Sequence, residues 1–210
     1  MSDWTDEAVM EAVRAGDARK LAILFDRHHA ALYRFYVRMT GDRTRSEDLV
    51  QEVFWRILRY RDTYQPGAPF TSWMYRIARN THHDEWRKRR REVPIPDDWE
   101  IASAAGVSAE RRQQIGFLRE ALLRLPAAKR EVLVLHRFQG MKYDEIAGLQ
   151  GCEVSTIKVR AHRALKELRA LYDELTGVKH DELRASANPD GGLPFREPER
   201  GWAPGNGSAS

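Results

Sequence analysis

Residues 142–172, KYDEIAGLQGCEVSTIKVRAHRALKELRALY, decide the fold of this chain. Lys142 to Leu149 has the spacing of a short amphipathic helix, with Ile146 and Ala147 turned inward. Gln150, Gly151 and Cys152 then supply a tight turn. From Glu153 a longer helix is predicted, with Val154, Ile157, Ala161, Ala164, Leu165 and Leu168 as its buried stripe. Ser155, Thr156, Lys158, Val159, His162, Arg163 and Lys166 fall on the opposite face. Between Ser155 and Arg169 stand five Lys or Arg and one Glu, a local +4 that equals the formal net charge of the whole chain. A short helix, a glycine turn and a second helix with a basic outer face is the helix-turn-helix plan. Its second helix suits the major groove of duplex DNA, where Lys and Arg reach guanine edges and phosphates. A solvated basic face on an ordinary bundle helix is the plainer alternative. The turn, and the exposed residues that open the second helix, favour DNA.

Outward from that stretch the apolar spacing stays helical. Leu49, Val50, Val53, Phe54, Ile57 and Leu58 recur on one helical face, and Thr44 followed by Glu47 has the form of a capping box at its start. Leu21 to Met39 is a second helix, stopped near Gly41, and Thr71 to about Arg90 a third, after the loop marked by Pro66, Gly67 and Pro69. Val132 to Leu135 has the look of a short strand, but its helical surroundings argue against one. Between Arg91 and Val107 two prolines and small residues replace the periodicity, which predicts a linker between two helical domains. The segment 177–210 holds six of the 14 glycines and four of the nine prolines, a composition that predicts a disordered or loosely docked tail. Phe195 and Trp202 are its only candidate anchors.

The chain of 210 residues is long enough for one large domain or two small ones. Hydrophobic residues at 42% and charged residues at 31% fit a core-forming protein with charged faces. No apolar run approaches the ~18–20 residues of a membrane span, and the start, MSDWTDEAVMEAV, lacks a signal-peptide plan. A cytoplasmic location is the expectation. The single cysteine, Cys152, closes no internal disulfide and builds no zinc site alone; a small core residue is the expected role.

Twelve of the twenty aromatic residues fall between Phe25 and Trp86. Phe25, Phe35 and Phe54 sit on apolar faces and are expected in the core. The stretch 70–91, FTSWMYRIARNTHHDEWRKRRR, differs, because Phe70, Trp73, Tyr75 and Trp86 alternate with Arg76, Arg79 and Asn80 before five consecutive cations. Aromatic rings interleaved with arginine suit single-stranded nucleic acid: bases stack on rings at ~1–3 kcal/mol each while cations follow the phosphates. Inward packing of Trp73 and Ile77 beside a solvated Arg run accounts for the same text. His28, His82, His83 and Asp84 invite a metal-dependent hydrolase. Adjacent histidines on a helix point about 100° apart, however, and no H-E-x-x-H or Cys/His framework is present, so no metal site is expected. G-x-S-x-G, Gly-rich phosphate loops and kinase signatures are also missing.

The stretches SEDLVQEVFWRILRYRDTY, FTSWMYRIARNTHHDEWRKRRR and LPAAKREVLVLHRFQGMKYDEIAGLQGCEVSTIKVRAHRALKELR together resemble a bacterial RNA polymerase sigma factor of the extracytoplasmic-function group. These are the small members of the sigma-70 family, which keep only regions 2 and 4. The resemblance implies an all-α protein: a region 2 bundle over 1–91, a flexible linker over 92–107 and a region 4 helix-turn-helix domain over 108–176; the tail over 177–210 is longer than the family's minimal plan, either disordered or a regulatory extension anchored by Phe195 and Trp202. It implies no catalysis and no cofactor. Asp48, Leu49, Gln51, Glu52 and Phe54 then match the segment that docks on the clamp coiled coil of the polymerase's largest subunit. Trp73, Tyr75, Arg76, Arg79, Asn80, His83, Trp86 and Arg87 match the segment that melts and reads the minus-ten element as single strand, with Asn80 at an unstacked base. Ser155, Thr156, Lys158, Val159, Arg160, His162 and Arg163 match the helix that reads the minus-thirty-five duplex, with Thr156 and Arg160 on phosphates. The linker inherits a path through the polymerase's active cleft. An anti-sigma factor is a further candidate partner, and no membrane is involved. A stand-alone helix-turn-helix regulator is the rival; it leaves the aromatic-basic stretch without a task.

Overall fold

Glycines and short polar caps set the helix boundaries. The computed structural model describes residues 4–89 and 108–177. Helix α1 spans Asp6–Arg14 and starts on Thr5, whose Oγ1 accepts from the Ala8 N–H at 3.2 Å. Helix α2, Leu21–Thr40, ends because Gly41 takes the left-handed conformation (φ 79°), open to a residue without Cβ. Helix α3, Arg43–Arg59, is capped by Asp42, whose Oδ1 accepts from the Arg45 N–H at 2.8 Å. The capping box expected at Thr44 and Glu47 is therefore displaced: Thr44 already lies in the first turn. Helix α4, Phe70–Arg89, follows the Pro/Gly loop, and the Phe70 N–H at its start donates to Glu7 Oε1 of α1 at 3.1 Å.

Packing in this first half follows the predicted stripes. Leu49, Val50, Val53, Phe54 and Ile57 of α3 and Met74 and Ala78 of α4 are buried against Leu32, Phe35 and Tyr36 of α2. The Tyr36 hydroxyl donates to the Ala78 carbonyl at 2.9 Å, so this large buried ring also has its polar end satisfied. Asp6 pins α1 to α2 through Arg27 at 2.8 Å and His28 at 2.6 Å. Phe25 departs from expectation. It is 38% exposed, stacked on His29 and edge-on to Phe54, because it lies at the margin of the stripe.

In the second half, α5 spans Ala109–Arg124 from a Ser108 cap, α6 spans Ala127–Leu133 and runs into a π turn over Val134–Phe138, α7 is Tyr143–Gln150 and α8 is Val154–Thr176. Val132 to Leu135 is helical, as its surroundings implied. It is apolar on every side because α6 is covered by α8 on one flank and by α2 on another. Among the described residues there is no strand.

The two halves are in direct contact, and their buried side chains form one continuous cluster. α2 packs on α5, α6 and the π turn, and α4 packs on α7. His82 of α4 is 7% exposed near this junction. Burial, with the His83 imidazole adding to it and Glu131 opposing it, pushes His82 down to about 4. An unfolded histidine, near 6.5, takes a proton that the folded one refuses, so stability is lost as pH falls from about 6.5 towards about 4. Lowering the pH from 7 to 4.5 should cost roughly 2 kcal/mol through this group. Urea melts of wild type and His82→Gln across that range check it; equal slopes for the two would refute the assignment.

Candidate nucleic-acid interface

The helix-turn-helix is built from α7 and α8. Glu145 in the first turn of α7 accepts from the Lys142 N–H at 2.7 Å, which satisfies a donor at the helix start. Gly151 turns the chain in the left-handed conformation (φ 64°), so the turn needs a residue without Cβ there. Cys152 is half-buried against the core. Ile157, Ala161 and Ala164 of α8 are buried against the neighbouring helices. The two alanines let α8 pack close to its supports, which turns the opposite face outward. Ser155, Thr156, Lys158, Val159, His162, Arg163 and Lys166 are all exposed there. Val159 is an apolar side chain left 49% exposed in the middle of that polar face. Arg160 differs from its neighbours: it is half-buried and donates to Gln150 Oε1.

On α4 the candidate residues divide. Arg76, Asn80 and Arg87 are exposed, and with His83 they follow the i, i+4, i+7, i+11 spacing of one helical stripe. Trp86 is 48% exposed beyond them. Trp73 is half-buried, packed on Tyr64 and Phe70. Tyr75 is only 5% exposed, edge-on to Phe35, and its hydroxyl donates to Gln139 Oε1 at 2.6 Å. It is therefore no open stacking platform here. Burial pushes its phenol well up. Arg79 faces the second half, with Nε 2.8 Å from Glu131 Oε1, an ion pair whose N–H is not aimed along the line of approach.

The candidate docking helix α3 divides in the same way. Asp48 and Gln51 are exposed and Glu52 half-exposed, while Leu49 and Phe54 belong to the core at 5% and 6% exposure. Trp55, absent from the expected set, is 51% exposed and lines a shallow groove with Asp48, Gln51 and Glu52; Arg59 lies over its ring at 4.9 Å. A tryptophan seven residues after Asp48, off the apolar stripe, was the available signal. Glu52 is also tied inward, because Arg56 bridges it at 2.6 Å to Asp84 of α4 at 2.8 Å.

His28, His82, His83 and Asp84 do not converge. His28 pairs with Asp6, His82 is buried, and Asp84 is held by Arg56 and Arg87. Among the described residues no three His, Cys, Asp or Glu side chains form a metal-binding group, and none of the helices is long and apolar enough to cross a membrane.

Comparison with known proteins decides the family. The model of sigma-70 region 2 matches residues 24–92 and that of sigma-70 region 4 matches residues 118–168. The extracytoplasmic-function RNA polymerase sigma factor EcfG of Rhodopseudomonas palustris is 38% identical over 144 residues, 67% of this chain and 78% of that protein. The chain belongs to the sigma-70 family of RNA polymerase sigma factors, in its extracytoplasmic-function group. Solved structures agree. CnrH in complex with the cytosolic domain of CnrY is similar at a TM-score of 0.64 and 27% identity, over 80% of this chain and 97% of that one. RpoE in complex with the anti-sigma factor NepR from Bartonella quintana gives 0.62 and 27%, over 71% and 94%. In this sigma factor, the region 2 match thus covers α2 to α4 and the region 4 match runs from within α5 into α8. The family binds core RNA polymerase and promoter DNA.

Proposed function

We propose that this sigma factor acts in the cytoplasm as a specificity subunit and not as a catalyst: it recruits core polymerase to promoters and helps to open them. The outer face of α8 carries the proposal, because an exposed run of small hydroxyls, cations and one apolar side chain opens a helix whose other face is locked in the core. Lys158, Val159, His162 and Arg163 read base edges of the minus-thirty-five duplex, with Ser155 and Thr156 beside them, and Arg160 reaches a phosphate once it leaves Gln150. Arg76, Asn80, His83 and Arg87, with Trp86 and Trp73, meet the minus-ten non-template strand; Tyr75 and Arg79 join when region 4 moves off them. Asp48, Gln51, Glu52 and Trp55 meet the clamp coiled coil of the largest subunit, with Leu49 and Phe54 supporting that surface from beneath. The stretch 92–107 threads the polymerase cleft. An anti-sigma factor fits as a regulator by analogy with the RpoE neighbour, whose structure includes one.

Arg163→Ala tests the duplex assignment. Binding of the holoenzyme to minus-thirty-five duplex should weaken by ~1–3 kcal/mol, and base preference at one position should relax. A titration indistinguishable from wild type would remove α8 from base reading.

A further inference from the structure

Three of the residues assigned to the minus-ten strand are engaged by region 4. The Tyr75 hydroxyl donates to Gln139, Arg79 pairs with Glu131 Oε1, and His83 Nε2 lies 3.8 Å from Glu131 Oε2. Glu131 is 4% exposed, a buried carboxylate held between two groups of the opposite domain. Its Oε2 also accepts from Gln150 Nε2 at 3.2 Å, and Gln150 in turn accepts from Arg160 on α8. One carboxylate thus links a candidate phosphate contact of the melting helix to a candidate phosphate contact of the duplex-reading helix. Arg38 of α2 over the Phe138 ring at 4.3 Å, and Arg130 donating to the Met39 carbonyl, close the same seam.

We propose that this seam is an autoinhibitory latch, in which Glu131 occupies the place of a DNA phosphate and keeps α4 and Arg160 from nucleic acid until polymerase separates the regions. An anion is what Arg79 would otherwise take from the strand, so the carboxylate and the phosphate compete for one guanidinium. Asp48, Gln51 and Trp55 stay exposed while the latch is closed, so polymerase can dock before the seam parts. Affinity of the free chain for single strand is then reduced by the fraction of molecules that are open. The proposal rests on the assignment of α4 to the minus-ten strand.

Glu131→Gln keeps the shape and a partner for Gln150 while removing the charge. Full-length wild type, Glu131→Gln and Gln139→Ala are titrated with a fluorescent single-stranded minus-ten oligonucleotide, without polymerase and then as holoenzyme. Spin labels at Asp62→Cys and Asp144→Cys, in a Cys152→Ala background, report the distance between regions. Free Glu131→Gln should bind up to about tenfold tighter than wild type with a longer label distance, as expected if about a tenth of wild type is open. Gln139→Ala, which alters only a half-buried turn residue, should shift both readouts the same way by a smaller factor. Holoenzymes of all three should bind alike. If the free variants bind no tighter than wild type while the holoenzymes bind the strand, the latch is refuted and the assignment of α4 stands. If the holoenzymes do not bind the strand, that assignment fails and the latch falls with it.

Discussion

Asp48→Arg combined with Trp55→Ala should weaken binding to core polymerase by roughly 2–4 kcal/mol, or ~30- to 1,000-fold in Kd, while leaving the fold intact. Tryptophan at the centre of an interface is the residue whose truncation most often costs more than 2 kcal/mol. Trp55 is half-exposed on α3 and takes no part in the core, so its loss from the free chain costs little; Asp48 beside it is exposed as well. Reversing Glu52 is a poorer choice, although the docking assignment includes it. Its carboxylate holds Arg56, which holds Asp84, so an arginine there would also disturb the packing of α3 on α4. Binding to core polymerase by fluorescence anisotropy, with a thermal melt as control, checks the prediction. An unchanged Kd at an unchanged melting temperature would show that polymerase docks elsewhere.

Arg130→Met should cost roughly 2–4 kcal/mol of stability, the largest loss expected from a single polar side chain here. The last carbonyls of a helix have no partner within it. At the end of α5, Arg130 reaches back from α6 and donates to the carbonyls of Leu122 and Leu125, each at 3.0 Å, and to that of Leu123. A positive charge at a helix C-terminus also meets the favourable end of the dipole. The fan needs the planar, forked guanidinium, so Arg130→Lys should recover only part of the loss. Urea denaturation of the full chain measures both. If Arg130→Met were within 0.5 kcal/mol of wild type, an order of magnitude typical of surface changes, the cap would have no energetic role.

Residue periodicity made most of the helices legible. The stripe on α8 and the stripe on α3 are buried as spaced, and Gly41 and Gly151 end helices where their position implied. Spacing alone was weaker at the margins of stripes, where Phe25 is half-exposed and Trp55 faces solvent. It was weakest on α4. Tyr75 and Arg79 have the composition of a nucleic-acid stripe, yet both point at region 4, because a helix with partners on two sides has no single polar face. The linker and the tail beyond Gly177, with Phe195 and Trp202, lie outside the described residues.

Local order in the chain was enough to determine an all-α fold, the helix-turn-helix and the basic outer face of α8. Each depends on residues a few positions apart, whose spacing maps directly onto one helix or one turn. Only the tertiary structure decided that region 4 closes on region 2. That closure joins Arg79 to Glu131 and Tyr75 to Gln139 across dozens of intervening residues. No periodicity in either helix encodes which cation a distant carboxylate will meet, since that pairing follows from how the two domains pack.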